Sequence, residues 1–224
     1  MSMTFWIALA VMFAVIGGLQ YWLDWAVVSS RYSSYRLRTP GASYLGPQNK
    51  WLNVFLNNIL ALSILAAFLY HFGERILNPQ WPGVAHFFGE TFAVLLLYDF
   101  AYYFFHRGMH HPRLMKYVHG MHHKVRFPVA SESVFLNPFE QMWAFVLLLG
   151  AVLLLGPISE ASFLCMFFLY SSINVIVHSN LVFPHPAFRL FNFWVEKHDV
   201  HHDKFRYNYA SIFPFWDQAF GTSK

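Results

Sequence analysis

The chain has 224 residues, of which 57% are hydrophobic and only 12% are charged, with a mean hydropathy of +0.38. Soluble domains average about 25% charged residues, so this composition excludes a soluble protein of this size and indicates a membrane protein. The 13 histidines outnumber the 11 acidic residues, and the single cysteine, Cys165, excludes an internal disulfide, a four-cysteine zinc site and an iron–sulfur cluster.

Five stretches are apolar over about the 20 residues that a membrane span needs. They cover residues 4–28, 51–72, 87–105, 139–155 and 161–177. The first stretch lacks a preceding basic segment and exceeds the apolar core of a signal peptide, so we expect it to be retained. A short link joins the last two stretches and predicts an antiparallel hairpin. The predicted fold is all-α, a helical membrane stem with about four to five transmembrane helices.

The basic residues predict the orientation of these spans. With the N-terminus outside, the inner segments are 29–50, 106–138 and 178–224, and they hold every basic residue except Arg75. Membrane proteins carry their excess of Lys and Arg on the cytoplasmic side. The pI of 9.2 is therefore a topology signal and not a sign of nucleic-acid binding, which we exclude. We expect the inner segments to fold as a cytosolic cap against the membrane.

Histidines concentrate in these inner segments at regular spacings. One H-x3-H pair and two H-x2-H-H runs are formed by His106 and His110, by His119, His122 and His123, and by His198, His201 and His202. Residues three and four apart share one helix face, so each run can direct its imidazoles to a single point. His178 ends the fifth span, and Asn174, one turn earlier, offers an amide oxygen as a further ligand. One tetrahedral zinc ion needs four ligands, so nine imidazoles predict two metal ions.

Three further residues are candidate catalytic residues that orient the ligands. Asp99 lies two helical turns before His106 on the same face, with Tyr103 between them, and a carboxylate within a span is usually functional. Metal-bound histidine normally donates its second N–H to a carboxylate or a carbonyl. Asp99, Tyr103 and Glu140 are therefore predicted to support the ligands. A carboxylate that pairs with Arg107 or Lys116 at the membrane surface is the alternative interpretation.

The order of these runs resembles the sterol desaturase/fatty acid hydroxylase superfamily of membrane di-iron enzymes. Residues 99–107 are similar to its D-x3-Y-x2-H-R helix, 137–140 to its [HN]-P-x-E element, and 208–222 to its N-Y-G and W-D-x-x-F-G-T ending. Gly120 stands where the family commonly has Lys, and Ala210 where it has Gly. The resemblance begins near residue 95, so we expect a single domain over 1–224 with its catalytic part at about 95–224.

The resemblance implies a membrane stem whose cytosolic cap holds two iron ions among the histidines, in a bacterial inner membrane or the endoplasmic reticulum. Members hydroxylate or desaturate lipids or sterols with O2 as co-substrate. No segment here is left to form a cytochrome domain, so a separate electron donor of the cytochrome or ferredoxin type, with its reductase, is expected. All-imidazole ligation also suits zinc, which can take the place of iron but has no redox states for O2 activation.

Three other functions remain open from the residues alone. A bis-histidine haem protein for membrane electron transfer would place single histidines on facing spans. A metal transporter would line a pore with polar groups, whereas the first, second and fourth spans are nearly bare of them. A non-catalytic lipid-binding or scaffold relative is the third. The clustering of histidines in the basic segments favours the oxygenase over all three.

Overall fold

The computed structural model describes residues 1–39 and 47–224. Its α-helices are α1 (Met3–Val28), α2 (Pro47–Ile76), α3 (Val84–Met109), α4 (Pro112–Tyr117), α5 (Pro138–Leu155), α6 (Glu160–Val177), α7 (Arg189–Lys204) and α8 (Pro214–Ala219). Five of them, α1, α2, α3, α5 and α6, are long and apolar enough to cross a membrane. These five helices contain the five predicted spans, and the all-α membrane fold is confirmed.

Short elements connect the helices. The 3-10 helices are Ser30–Tyr35, His119–Lys124, Ala130–Val134 and Pro186–Phe188, and two parallel strands are β1 (Leu77–Asn78) and β2 (Ile158–Ser159). The link between α5 and α6 contains β2 and is as short as expected. However, the main helix packed against both α5 and α6 is α3. The two helices of the hairpin contact each other through long aromatic side chains such as Phe145 and Phe167, whose ring centroids are 6.1 Å apart.

Local chemistry fixes where the helices begin and end near the histidines. The Asn137 side chain accepts the N–H of Phe139 at 2.9 Å and Pro138 takes the first helical position, as expected at a helix start. The C-terminal end of α3 is at Met109, because Pro112 disfavours a helical conformation in the residue before it and begins α4. His110 is therefore the last residue that α3 orients.

The segments that join the helices at the histidine end pack on one another. Arg38 pairs with Asp199 of α7 at 3.1 Å, and Lys50 of α2 pairs with Glu132 at 2.7 Å. The predicted inner segments therefore lie at a common end of the helices, as the orientation of the spans requires.

The 3-10 helix Ala130–Val134 packs between α1 and α2. The N–H of Ser131 donates to Asp24 Oδ1 at 3.0 Å, and the Asn57 amide donates to the carbonyl of Val134 at 3.1 Å. Asp24, the one acidic residue of the first span, thus has a partner in the chain. This helix, here called the floor helix, closes the space between α1 and α2 at the histidine end.

Candidate metal centre

The nine histidines of the predicted ligand set gather in two groups. The five-histidine group contains His106, His110, His119, His123 and His201, and the four-histidine group contains His122, His178, His198 and His202. Within each group the ring nitrogens that can bind a metal lie within 4.8 Å of one another. The structure therefore brings together every predicted histidine, in the two sets of four and five that the count suggests.

Each H-x2-H-H run is divided between the two groups, so the prediction that a run directs all its imidazoles to one point is wrong. The run 119–123 gives its first and last histidine to the five-histidine group, and its middle one to the other. The run 198–202 does the reverse. In α7, His198 and His202 are about 40° apart around the helix axis, whereas His201 lies about 60° from His198 in the opposite direction. Because each run contributes histidines to both groups, the two groups lie next to each other.

Acceptors outside the groups fix the orientation of five imidazoles. Four of them donate their Nδ1–H to a backbone carbonyl: His106 to Tyr209 (2.7 Å), His201 to Tyr207 (2.8 Å), His122 to Phe135 (3.3 Å) and His178 to Asn174 (2.7 Å). The fifth, His119, donates its Nδ1–H to Oε1 of Glu140 at 2.8 Å. A carbonyl oxygen only accepts, so the proton lies on Nδ1 and Nε2 carries a free lone pair. Such an arrangement is typical of metal-ligating histidine.

The facing Nε2 atoms fit a metal cation between them. His106 and His119 approach to 3.1 Å through Nε2, and His122 and His178 to 3.3 Å, although both members of each pair already carry their proton on Nδ1. Two lone pairs at this distance repel unless a cation lies between them. Burial lowers the pKa of His122 to about 4 and that of His178 to about 3, so at neutral pH that cation is not a proton. Ligands about 2.1 Å from one ion are about 3.0–3.4 Å apart, as here.

Glu140 is hydrogen-bonded to a histidine of the predicted ligand set. Its carboxylate lies in the first turn of α5 and is 3% exposed, and Oε1 accepts from His119. The other oxygen, Oε2, is buried without a hydrogen-bond partner among the described residues. One carboxylate therefore holds a histidine of the five-histidine group and keeps one acceptor free.

In the part of the chain that the structure describes, the hydrogen-bond partners of Asp99 and Tyr103 are backbone N–H groups and other side chains and not histidines. The Asp99 carboxylate accepts the successive N–H groups of residues 211–213 at 2.7–2.9 Å. The Tyr103 hydroxyl bonds to Thr222 Oγ1 at 3.0 Å. Because a buried N–H needs an acceptor, these side chains hold the segment 207–222 against α3. That segment supplies the carbonyls that orient two histidines, so Asp99 and Tyr103 act on the ligands through the backbone.

Asp217 fixes the other side of this C-terminal segment. It is fully buried and accepts from the N–H of Tyr209 at 2.7 Å and of Ala210 at 3.1 Å, from Thr222 Oγ1 at 2.9 Å and from Lys197 Nζ at 2.6 Å. The W-D-x-x-F-G-T ending therefore has a structural role that spacing alone does not reveal. Backbone carbonyls that orient ligands leave no signal in a sequence.

Asn174 contributes through its main chain. Its carbonyl accepts from Nδ1 of His178, and its side chain lines a cavity beside the histidines. Ligation by the side-chain amide stays a prediction.

A cavity of about 370 Å³ connects the histidines with the interior of the helix bundle. Its wall includes His106, His122, His178 and His198 at one end, and apolar side chains of α1, α2, α5 and α6 farther along. Cavities of this size are typical of small-molecule sites. The centre therefore faces a largely apolar space at the depth of the membrane-spanning helices.

Replacing Glu140 by glutamine is expected to lower metal affinity about 10–100-fold, the usual cost of removing a partner that orients a ligand. The amide lacks the charge that strengthens the bond to His119. Titration of the purified protein with metal would measure the loss. Glu132→Gln is the matched control, since Glu132 is also buried, at 5% exposed, and pairs with Lys50 instead of a histidine. Equal affinity losses in both variants would contradict the role of Glu140.

Gly120 has no room for a side chain. A Cβ added there would collide with the backbone carbonyl of Met115, whereas one added at Gly108 has nothing within 4 Å. Gly120→Ala is therefore expected to cost about 1–3 kcal/mol of stability and to displace the run 119–123. Thermal unfolding and bound metal would both fall. Gly108→Ala, in a helix, should be neutral or stabilising, and a loss as large as that of Gly120→Ala would refute the steric explanation.

The fold and the site together define an integral membrane protein whose histidine clusters have the composition of a metal-binding centre. A sequence model of the fatty acid hydroxylase family matches residues 91–222, more than half of the chain. The chain belongs to the fatty acid hydroxylase family.

Several known proteins are similar to the chain. Methylsterol monooxygenase 1 of Danio rerio is 29% identical over 150 residues, which cover 64% of this chain and 49% of the relative. That of Rattus norvegicus is 31% identical over 163 residues, covering 68% and 54%. A cholesterol 25-hydroxylase-like protein of Danio rerio is 32% identical over 180 residues, covering 73% and 70%. The chain spans about half the length of the methylsterol monooxygenases it matches. No solved structure matches it.

Proposed function

We propose that the protein is a membrane-bound di-iron oxygenase that hydroxylates or desaturates a lipid or sterol-like substrate. The observation that carries this proposal is the opening of both histidine groups into an apolar cavity between membrane-spanning helices. The fatty acid hydroxylase match and the names of the relatives, methylsterol monooxygenase and cholesterol 25-hydroxylase-like protein, support the same class of substrate.

The nine histidines would hold two metal ions, one in each group. Iron is the metal we propose, because imidazole suits it and because it supplies the redox chemistry that lets O2 attack an unactivated C–H bond. Zinc would fill the same ligands without that chemistry. The carbonyls of residues 135, 174, 207 and 209 and the carboxylate of Glu140 hold the imidazoles with Nε2 directed inward.

The chain's own residues would position the substrate. The apolar wall of the cavity excludes water and aligns a hydrocarbon chain or ring toward the histidines, and placement of this kind decides which bond reacts. Glu140 is one of the residues of the cavity wall, so the carboxylate that orients His119 also lies beside the space that the substrate would occupy. The alignment of the substrate would select between hydroxylation and desaturation.

We also propose that the histidine end faces the cytoplasm, in a bacterial inner membrane or the endoplasmic reticulum, and that a separate donor protein delivers electrons there. The distribution of basic residues supports this orientation.

Comparative lipidomics of cells with and without the gene tests the function. The expected result is a lipid or sterol that gains one oxygen atom or loses two hydrogen atoms only when the intact protein is present. An unchanged lipid profile, with O2 and a reductase system supplied, would overturn the proposal.

The absorbance spectrum and metal content of the purified protein separate the rival functions. A strong Soret band would identify a haem protein, and metal uptake by vesicles that survives removal of the histidine clusters would indicate a transporter. Iron at about two ions per chain without a Soret band is the expected result.

A further inference from the structure

The cavity reaches the outside of the molecule between α1 and α2. The principal neighbour of α1 is α6 and that of α2 is α5, so these two helices are held from behind by different partners. Residues 13–20 of α1 and 58–65 of α2 supply facing parts of the cavity wall. We call the gap between these two stretches the lateral opening.

Two rim residues show that the lateral opening leads outward. Leu62 lines the cavity and yet has 46% of its surface exposed. Asn58, one helical turn away, also lines the cavity and is exposed. A side chain that belongs to both an internal wall and the outer surface lies at the edge between them. Because this edge falls inside a membrane-spanning helix, it faces lipid.

Packed residues close both ends of the lateral opening. Away from the histidines, Phe5 of α1 and Phe68 of α2 both pack on Phe163, with ring centroids 6.0 and 6.4 Å away. Met1 lies against Gly73 at the same end, so close that a Cβ on Gly73 would come within 2.9 Å of it. Toward the histidines, the floor helix is bound to both α1 and α2. The opening is thus confined to the depth of the membrane.

The rim combines apolar and amide side chains. Gln20 of α1 and Asn58 of α2 line the cavity beside Ile16 and Leu62. The Asn58 amide donates to the carbonyl of Val54 at 2.8 Å, which leaves its oxygen available as an acceptor. An amide side chain inside a membrane span costs free energy, so amides at such positions usually serve a function. This rim suits a lipid that is apolar over most of its length and carries one small polar group such as a hydroxyl.

We propose that the lateral opening is the passage through which a hydroxyl-bearing membrane lipid of the sterol type moves from the bilayer to the histidines. The proposal rests on the function proposed above for its substrate class, but the passage itself is defined by the helices. Leu62 is the apolar rim residue on the side of α2, so a larger side chain at this position would extend across the opening.

Photolabelling in phosphatidylcholine vesicles that contain a diazirine-bearing sterol tests the passage. The metal-loaded protein is irradiated, and labelled positions are mapped by mass spectrometry. Label is expected within residues 13–20 and 58–65, and we expect Leu62→Trp to reduce it about tenfold by filling the rim. The control is Leu56→Trp, because Leu56 is 52% exposed on the same helix and lies outside the cavity wall. Its labelling should equal that of the native chain.

Two labelling outcomes overturn the passage, whatever the result for catalysis. One is label distributed evenly over the lipid-exposed faces, and the other is unchanged cavity labelling in Leu62→Trp. Bound metal and thermal unfolding are measured for each variant, and Leu62→Phe replaces Leu62→Trp if the larger side chain prevents folding. Labelling as expected without any oxidised product would refute the proposed function while leaving the passage supported. Lipid oxidation that Leu62→Trp does not slow would refute the passage alone.

Discussion

His178→Ala is expected to lower the proposed lipid oxidation by at least about 100-fold and to remove about half of the bound metal. His178 is central in the four-histidine group, with its Nε2 2.9 Å from that of His198 and 3.3 Å from that of His122. Its loss leaves three imidazoles in that group. Because one metal ion of this kind takes about four protein ligands, the remaining three hold it weakly.

The five-histidine group should tolerate a single loss better. His110 is its half-buried member, and His110→Ala leaves four imidazoles, so we expect a decrease in activity of only about tenfold with most of the metal retained. His111→Ala is the matched control, since the neighbouring His111 is exposed and belongs to neither group. Metal analysis by mass spectrometry and a turnover assay measure both quantities. Normal metal content in His178→Ala would refute the assignment of the four-histidine group.

Asp99→Ala is expected to destabilise the fold more than any other single carboxylate change in the stem. It removes the acceptor of three consecutive backbone N–H groups, those of residues 211–213. Each buried unsatisfied group costs about 1–3 kcal/mol, so a loss of at least about 3 kcal/mol follows. For a chain of this size the melting temperature should fall by about 6–12 °C. Metal content should fall as well, since His106 depends on the Tyr209 carbonyl in the same segment.

Thermal unfolding followed by tryptophan fluorescence would measure these effects. Asp99→Asn keeps one acceptor oxygen and should lie between the native chain and the alanine variant. Asp199→Ala serves as control, because it removes a single ion pair whose Arg38 and Asp199 side chains are 45% and 11% exposed, and ion pairs with a solvent-exposed partner contribute about 1 kcal/mol. If Asp99→Ala melted no lower than Asp199→Ala, the anchoring role of Asp99 would be wrong.

The spans and the histidine set were predictable because both rest on local patterns. A run of apolar residues indicates a membrane helix wherever it packs, and all nine histidines of the spaced runs and the fifth span reach the two groups. The bond between Glu140 and a histidine was also predictable, since a metal-bound histidine normally donates its second N–H to a carboxylate.

Other features depend on contacts that spacing does not encode. The carboxylate of Asp99 is visibly unusual in a span, but its partners lie 112–114 residues away. The carbonyls that orient His106 and His201 belong to the backbone, so any residue could supply them. The two H-x2-H-H runs are each divided between the two histidine groups because of the positions of the neighbouring helices. The spacing of the histidines along one helix face does not reveal this division.

The division of the runs has a consequence for how this sequence can change length. Each of the two runs supplies histidines to both groups, so inserting or deleting one residue inside a run would rotate the following histidine and disturb both groups together. The rotation is about 100° in the α-helix that carries 198–202 and about 120° in the 3-10 helix that carries 119–123. The spacing within 119–123 and 198–202 therefore tolerates neither a gain nor a loss of one residue, and an altered spacing in either run would disarrange both histidine groups at once.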